Sequence, residues 1–427
     1  MCIDDKESIV KKGTVEDAYI WMGEKLEIID DVPCGNIVAL AGLRRGNTGA
    51  TVTSCEEVDA HVIRGMNFTV TPILRIDIKC TQINVKNCLV RRIERLQLLD
   101  PMVISSLDDD VTGLFIGGVG ELHLQICRKD LQDNVASLGQ MTSSSPVVSF
   151  RESVHLWSAR TASVRSLSIQ LCMKARPMKA GLAKAIDDGR IGPHDDPEAR
   201  SKILEEEFGW DKELAKQIWC FGPYNTGPNI LVNMCKEVKH LDKIKDLVVS
   251  GFQQASKQGP LFGEKMWGIC FELRDAVIDH KIDPKNFVYK REIVSNTKKV
   301  MYAAYLLANP ILLEPMYLVG IRAPECHLEI IYQAIYEKMG HVLEEAKMPC
   351  TPFYNVKAYL PVRKSLGFFT NLRARTSDQI FHQQVFDHWR VLYSDPLDPE
   401  TEAGKLVVET RMKKGMGKME KVSDYEK

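Results

Sequence analysis

The sequence predicts a multidomain α+β protein, and three observations support that class. The chain has 427 residues, enough for about three or four domains. A β-α-β-β-α-β order of predicted elements occurs twice, in residues 70–147 and again in residues 312–385. Hydrophobic residues make up 44% of the chain and charged residues 26%, a globular composition that excludes fibrous and wholly disordered proteins.

The first 69 residues predict short strands joined by turns. Residues 18–21 and 36–41 are apolar runs too short for helices, and glycines at 42, 46 and 49 break the pattern after them. Four or five strands fit before residue 69, which is few for a closed barrel. We therefore expect a partial β-barrel in residues 1–69.

Both repeated units are predicted from the apolar periodicity. The first unit, residues 70–147, has helices predicted at 88–99 and 121–133 and strands at 73–78, 102–104, 114–116 and 147–150. The second unit, residues 312–385, has helices predicted at 326–339 and 366–376 and strands at 316–321, 341–344, 353–360 and, running past its end, 385–391. Two split β-α-β units of this kind predict two ferredoxin-like domains.

The segment between the two units, residues 148–311, predicts a separate α/β domain. Helices are expected at 197–208, 211–219 and 241–256, and Asp211 is a good N-cap for the second of them. In the polar C-terminal segment, residues 386–427, the apolar residues Leu406, Val407 and Val408 need a partner. We expect this segment to pack back on the middle domain.

The motifs of common enzymes are missing from the sequence. It contains no P-loop, no G-x-S-x-G nucleophile turn and no H-E-x-x-H zinc helix, so we expect no catalytic residue and no metal site. Glu121 and His123 are interpreted as a packed or surface pair, and residues 108–110 as a solvated turn. The net charge of −1 excludes a generally basic nucleic-acid binder but leaves local basic patches open.

The location of the protein is predicted to be cytoplasmic. The N-terminus lacks the basic and apolar regions of a signal peptide, and the longest apolar stretch, residues 301–308, is too short to span a bilayer. The twelve cysteines include no C-x-x-C pair and are expected to be free thiols.

Nine segments in collinear order resemble the eukaryotic elongation factor 2 family, the ribosomal translocases of the elongation factor G/2 type. These segments are residues 31–36, 120–124, 147–152, 173–178, 218–223 with 226–229, 313–319, 340–342, 357–362 and 385–389. The resemblance implies the second half of the family's barrel domain at 1–69 and its third domain at 70–147. It further implies a ribosomal S5-like fourth domain at 148–311, a fifth domain at 312–385 and a C-terminal segment at 386–427.

The same resemblance implies the partners, the cofactor and the activity. Ribosome and ribosomal RNA are the expected partners of a monomer. The family's cofactor is GTP with magnesium, bound by a GTPase domain that is absent here, so this chain is expected neither to bind nor to hydrolyse GTP. We expect a truncated elongation factor 2-like protein of the translocation step.

The tip of the implied fourth domain, about residues 279–299, departs from the family pattern. The family's His-Arg-Gly-Gly-Gly-Gln string contains the His that becomes diphthamide, and Phe287 stands at that position here. Bulky residues replace the glycines, which let a backbone approach RNA closely. Seven residues keep the tip basic and are the candidate RNA contacts: His280, Lys281, Lys285, Lys290, Arg291, Lys298 and Lys299. A drifting surface loop is the alternative.

Three other functions remain open from the sequence. One is a non-catalytic ribosome- or RNA-binding competitor of the complete factor, and another is a drifted, non-functional fragment. The third is the spliceosomal relative of elongation factor 2, whose acidic extension and GTPase domain are not in this sequence.

Overall fold

The structure is a computed structural model that describes residues 2–3, 10–11, 14–42, 51–53, 72–80, 82–107, 114–135, 141–166, 169–193, 195–235, 238, 241–278 and 287–426. It has several sheets and twelve helices within these residues, so the mixed α+β class is confirmed. The chain divides into two compact units, Met1–Val147 and Val148–Lys427, called here the first and the second unit.

The first unit begins with two three-stranded antiparallel sheets. Their strands are β1 Cys2–Ile3, β2 Val10–Lys11, β3 Ala18–Met22, β4 Lys25–Ile28, β5 Ala39–Leu40 and β6 Thr51–Val52. The sheet orders are β2-β1-β6 and β4-β3-β5. Residues 43–50 and 54–71 lie outside the described residues, so the partial barrel stays a prediction.

The remainder of the first unit has the predicted β-α-β-β-α-β order, but its fourth main strand lies at 141–143. At the predicted position, 147–150, only a two-residue strand forms. The elements of this part are β7 Leu74–Cys80, α1 Ile83–Leu99, β8 Ile104–Leu107, β9 Leu114–Gly118, α2 Glu121–Val135 and β10 Met141–Ser143, with a short β11 Val147–Val148 after them. The four main strands form an antiparallel sheet in the order β10-β7-β9-β8, called here the β7 sheet. Helix α1 begins five residues earlier than predicted, because Val85 lies one turn before Leu89 on the same buried side.

One face of the β7 sheet carries the core of this unit. Leu74, Ile76 and Ile78 point to the same side of β7 and are at most 3% exposed. Helices α1 and α2 pack on that side, and they contact each other. The alternation of buried and exposed residues in β7 is the pattern of a sheet with one covered face.

The second unit contains a middle sheet of five strands. After a short β12 Arg151–Val154, the strands of this sheet are β13 Ala162–Arg165, β14 Ile169–Pro177, β15 Ile218–Gly222, β16 Asn229–Asn233 and β17 Ile269–Ile278. Their order is β13-β14-β17-β16-β15, and only the β16–β17 pair is parallel.

Five helices cover the two faces of the middle sheet. They are α3 Leu182–Asp187, α4 Pro197–Phe208, α5 Lys212–Lys216, α6 Leu241–Lys257 and α7 Phe287–Leu306. Helices α6 and α7 contact each other and lie on one face. Helices α3 to α5 cover the other face near β15 and β16, with Leu204 and Trp210 in a core shared with Ile230.

The predicted helix over residues 211–219 is wrong in its last three residues. Asp211 caps α5 as expected, since its carboxylate accepts hydrogen bonds from the N–H groups of Glu213 and Leu214. The helix ends at Lys216, and Trp219 lies on strand β15. This segment forms a strand despite its helical pattern, because it pairs with β16 and buries Phe221.

The second sheet of this unit has four long strands. They are β18 Pro310–Pro324, β19 His341–Lys347, β20 Phe353–Pro361 and β21 Phe381–Leu392. Their antiparallel order is β21-β18-β20-β19, called here the β18 sheet, and β12 pairs with the first residues of β18. Helices α8 Leu328–Glu337, α9 Val362–Ser365 and α10 Phe368–Arg375 accompany it. The helix predicted over 326–339 is shorter, because residues 325–327 form a 3-10 turn before α8.

The C-terminal segment contains two helices, α11 Glu402–Lys413 and α12 Val422–Tyr425. Arg411 Nη1 lies 3.1 Å from the carbonyl oxygen of Pro260, and Lys414 Nζ lies 2.9 Å from that of Phe262. Of the apolar residues that needed a partner, Val407 is buried and Leu406 is half-buried, but Val408 is 39% exposed. Adjacent residues of a helix point about 100° apart, so they do not all reach the same core.

Candidate nucleic-acid interface

Helix α7 combines a buried C-terminal half with an exposed N-terminal end. Residues 300–306 are each at most 9% exposed, whereas Phe287 and Val288 are 75% and 67% exposed. The apolar second half packs against α6, β13, β14 and α12. The fixed half therefore holds the first turns of the helix in one position at the surface.

The projecting part of α7 carries most of the candidate RNA contacts. Residues 287–299 contain four basic residues and a single acidic one. Lys290 and Arg291 are exposed, and Lys298 and Lys299 are half-buried. Lys298 Nζ lies 5.6 Å from the centre of the Tyr302 ring. Lys290 and Arg291 are accordingly the most accessible cations of this surface.

A neighbouring hairpin contributes a cation that sequence reasoning missed. Strands β13 and β14 contact α7, and Asn296 Nδ2 donates a 2.8 Å hydrogen bond to Ser166 Oγ at the hairpin turn. Arg165 is exposed next to that turn. The apolar residues at 169, 171, 173 and 175 alternate with polar ones, and this signal of a half-buried strand was present in the sequence. We call Arg165, Lys290, Arg291, Lys298 and Lys299 the basic α7 surface.

Residues 287–299 of the tip form a helix and not a loop, and drift of this surface stays a hypothesis. No glycine or proline occurs between residues 285 and 309, so nothing in the local sequence breaks a helix there. Phe287 stands in the first turn with its ring exposed. Residues 279–286 lie outside the described residues, and His280, Lys281 and Lys285 are among them.

A buried carboxylate secures the loop beneath the far end of α7. The Glu152 carboxylate accepts hydrogen bonds from the N–H groups of Leu261, Phe262 and Glu264 at 3.0, 3.1 and 3.0 Å. Burial raises the pKa of Glu152 to about 7. A Cβ atom at Gly259 would lie 2.0 Å from a Glu152 oxygen, so the loop can approach only with glycine there.

The same loop ties α7 to the C-terminal segment. The Tyr302 hydroxyl donates to the Gln258 carbonyl oxygen, and the Tyr302 and Tyr425 rings meet edge to face at 5.4 Å. Lys414 Nζ contacts Glu264 Oε1 at 2.6 Å. The buried half of α7 is thus held by the loop and by α12.

Other candidate chemistry of the sequence has a structural explanation. His123 Nε2 lies 2.9 Å from Asp100 Oδ2, and His123 Nδ1 accepts a hydrogen bond from the Val119 N–H. This confirms the packed interpretation of His123. Within the described ranges, no group of three or more His, Cys, Asp or Glu residues could hold a metal ion. Residues 108–110 lie outside those ranges.

In the part of the chain that the structure describes, no helix is both long and apolar enough to cross a membrane.

Two family models match the second unit. Residues 190–305, which include β15 to β17 and nearly all of α7, match elongation factor G, domain IV. Residues 311–399, which include the β18 sheet, match the elongation factor G C-terminus. Both matched segments are thus similar to domains of a translation elongation factor.

Over these two segments the chain is similar to the C-terminal domains of elongation factor G. The basic α7 surface lies partly in the segment matched to domain IV, since α7 does and Arg165 precedes it.

Proposed function

We propose that this chain is an elongation factor 2-like protein that contacts ribosomal RNA at the translocation step through the basic α7 surface. The observation that carries the proposal is the construction of α7, a helix with a buried second half that presents Lys290 and Arg291 at its exposed first turns. Fixed cations attract the phosphate backbone and release its counterions. The location of α7 inside the domain IV match adds support.

The finer features of the proposal rest on the sequence resemblance. We propose the eukaryotic form of the family, a monomer in the cytoplasm, with the ribosome as partner. The strand order of the β7 and β18 sheets supports ferredoxin-like domains at 70–147 and 312–385, and an S5-like domain is proposed at 148–311. The proposal assigns no GTP or magnesium site to this chain.

Ribosome co-sedimentation in a salt series tests the proposal. The double variant K290E/R291E reverses two exposed charges of α7. We expect the affinity for ribosomes to fall about tenfold or more at 100 mM salt, with a shallower dependence of log K on log salt, because two phosphate contacts are lost.

The matched control is K212E/K216E, which makes the same charge change on α5 of the same unit. This control should bind like the unchanged chain. Equal losses in both variants would mean that only net charge matters, and the basic α7 surface would then have no specific role.

Phe287 supplies a separate test of the alignment. Phenylalanine has no imidazole to become diphthamide, so diphtheria-toxin-type ADP-ribosylation should fail on this chain. Mass spectrometry of the peptide containing residues 286–290 after toxin treatment measures this. A diphthamide or ADP-ribose mass on any residue of this segment would show that Phe287 is aligned incorrectly.

The non-catalytic competitor uses the same surface and differs in its effect. A chain that binds ribosomes through Lys290 and Arg291 and slows translocation by the complete factor is such a competitor. A drifted fragment would show no saturable ribosome binding at all.

A further inference from the structure

The outer face of the β18 sheet is open. Val319, Ile321 and Val356 point to the inner face, are at most 1% exposed, and lie on the side of α8 to α10. The residues that alternate with them point outward, and Phe381 and Val385 are 57% and 50% exposed. A depression of about 550 Å³ lies on this outer face.

Three aromatic rings stand on this face. Phe353 and Tyr359 are outward residues of β20. Phe381 is an outward residue of the edge strand β21. Tyr359 is half-buried, because its ring packs edge-on against His388 at 4.8 Å. Phe353 and Phe381 are exposed, at 39% and 57%.

The centre of the face carries no bulky side chain and is flanked by cations. Gly320 lies there, and a Cβ atom built on it would meet only Asn355 Oδ1, at 3.9 Å. In the ladder, Gly320 pairs with Lys357, and the next outward residue of β18 is Arg322. Arg322 makes no ion pair with any residue that the structure describes. Lys357 Nζ contacts Glu344 at 2.9 Å, an exposed pair that is easily exchanged for another anion.

We propose that the outer face of the β18 sheet binds single-stranded RNA. Bases stack on Phe353 and Phe381, and Arg322 and Lys357 contact the phosphates between them. An antiparallel four-stranded sheet with exposed aromatic rings and nearby cations has the chemistry for this, because every base has a face that stacks and every linkage carries one negative charge. The site is distinct from the basic α7 surface and does not depend on the function proposed for it.

Fluorescence anisotropy with a labelled ten-nucleotide RNA, using the full chain, tests this proposal. We expect saturable binding at 50 mM salt and at least a tenfold loss of affinity in F353A/F381A, because both rings on which bases stack are removed. R322E/K357E should lose affinity and reduce the salt slope by about 1.4, from two phosphates at about 0.7 each.

Matched controls lie on the helical side of the same domain. Tyr336 is 62% exposed on α8, so Y336A removes an exposed ring without touching the sheet face, and K338E reverses a charge beside it. Both should bind RNA within twofold of the unchanged chain. F381W should keep the affinity and F381L should lose it, which separates stacking from simple apolar contact.

Several results would overturn the proposal. One is the absence of saturable binding up to 100 µM protein, and another is equal binding of a ten-base-pair RNA duplex, whose bases are not free to stack. A loss in K290E/R291E with none in F353A/F381A would assign the oligonucleotide to the basic α7 surface. Circular dichroism spectra of the variants keep a folding defect from being mistaken for lost contacts.

Discussion

The β7 sheet and the β18 sheet have the same strand order but differ in what their outer faces carry. In each sheet, the strand that comes first in the sequence lies between the third and the fourth. In the β7 sheet, Gly117 is buried, and Arg75 lies over the ring of Phe115 at 5.7 Å. In the β18 sheet, Gly320 is half-buried and Phe381 is more than half exposed.

This difference shows that the strand order of a sheet and the binding properties of its outer face are set by different residues. The inner faces are alike because both must bury apolar side chains under helices, and the strand order follows from that need. The outer faces are free of this requirement, and their side chains determine what each sheet can bind. A shared strand order is therefore no argument for a shared partner.

The largest expected effects come from the two inner faces. Ile76 on β7 and Ile321 on β18 are at most 3% exposed, and truncation of either to alanine should cost about 2–5 kcal/mol of unfolding free energy. Because the chain divides into two compact units, I76A should lower one calorimetric transition and I321A the other. If both substitutions lowered a single shared transition equally, the two sheets would unfold as one body.

The stability of the second unit should depend on pH through Glu152, and that of the first unit should not. The pKa of Glu152 is about 7 in the folded protein, above the usual value of 4.5, so the folded state holds this proton more tightly. The resulting stabilisation is complete below about pH 4.5 and is lost as the pH rises to 7. Among the described residues of the first unit, no carboxylate is buried, and its transition should lack this dependence.

The comparison of Glu152→Gln with the unchanged chain measures this effect. The variant leaves a backbone N–H without its acceptor and should be less stable than the unchanged chain at pH 5. The difference in unfolding free energy between the two should narrow towards pH 8. A gap that widened with pH would mean that the pKa of Glu152 is lowered instead.

The smallest expected effect is the difference in stability cost between alanine substitutions at Gly117 of the β7 sheet and Gly320 of the β18 sheet. A Cβ at Gly117 would lie 2.6 Å from the Ile104 side chain, so G117A should cost about 1–3 kcal/mol through overpacking. G320A has open space and should stay within about 0.5 kcal/mol. Denaturant titration of both variants measures the contrast, and a costly G320A would reveal that the outer face of the β18 sheet is covered.

The sequence was most informative where local patterns and long-range packing agree. Residues 197–208 were predicted as a helix and form one with those bounds, since Asp196 caps it and Gly209 ends it. The helix predicted over 211–219 was wrong only at its last three residues, because strand β15 begins at Ile218 and its pairing with β16 outweighs a helical pattern. Strand β18 is longer than the six residues predicted because β12 and β21 extend its pairing.

The candidate site was predictable in its charges and not in its shape. The sequence identified Lys290, Arg291, Lys298 and Lys299 as basic, but it did not distinguish a loop from the helix that carries them. Arg165 was missed because its position near α7 depends on the contact between Asn296 and Ser166, which are 130 residues apart. Distances of this kind follow from the assembled fold alone.

The loop after α6 is synthesised well before α11, the helix that contacts it. Arg411 follows Pro260, whose carbonyl oxygen it binds, by 151 residues. At about 5–20 residues per second, a growing chain needs about 8–30 s to supply that partner. During this interval the nascent middle domain has its loop but not the helix that seals it. Chaperones that bind unfinished chains should therefore hold this protein until α11 has left the ribosome.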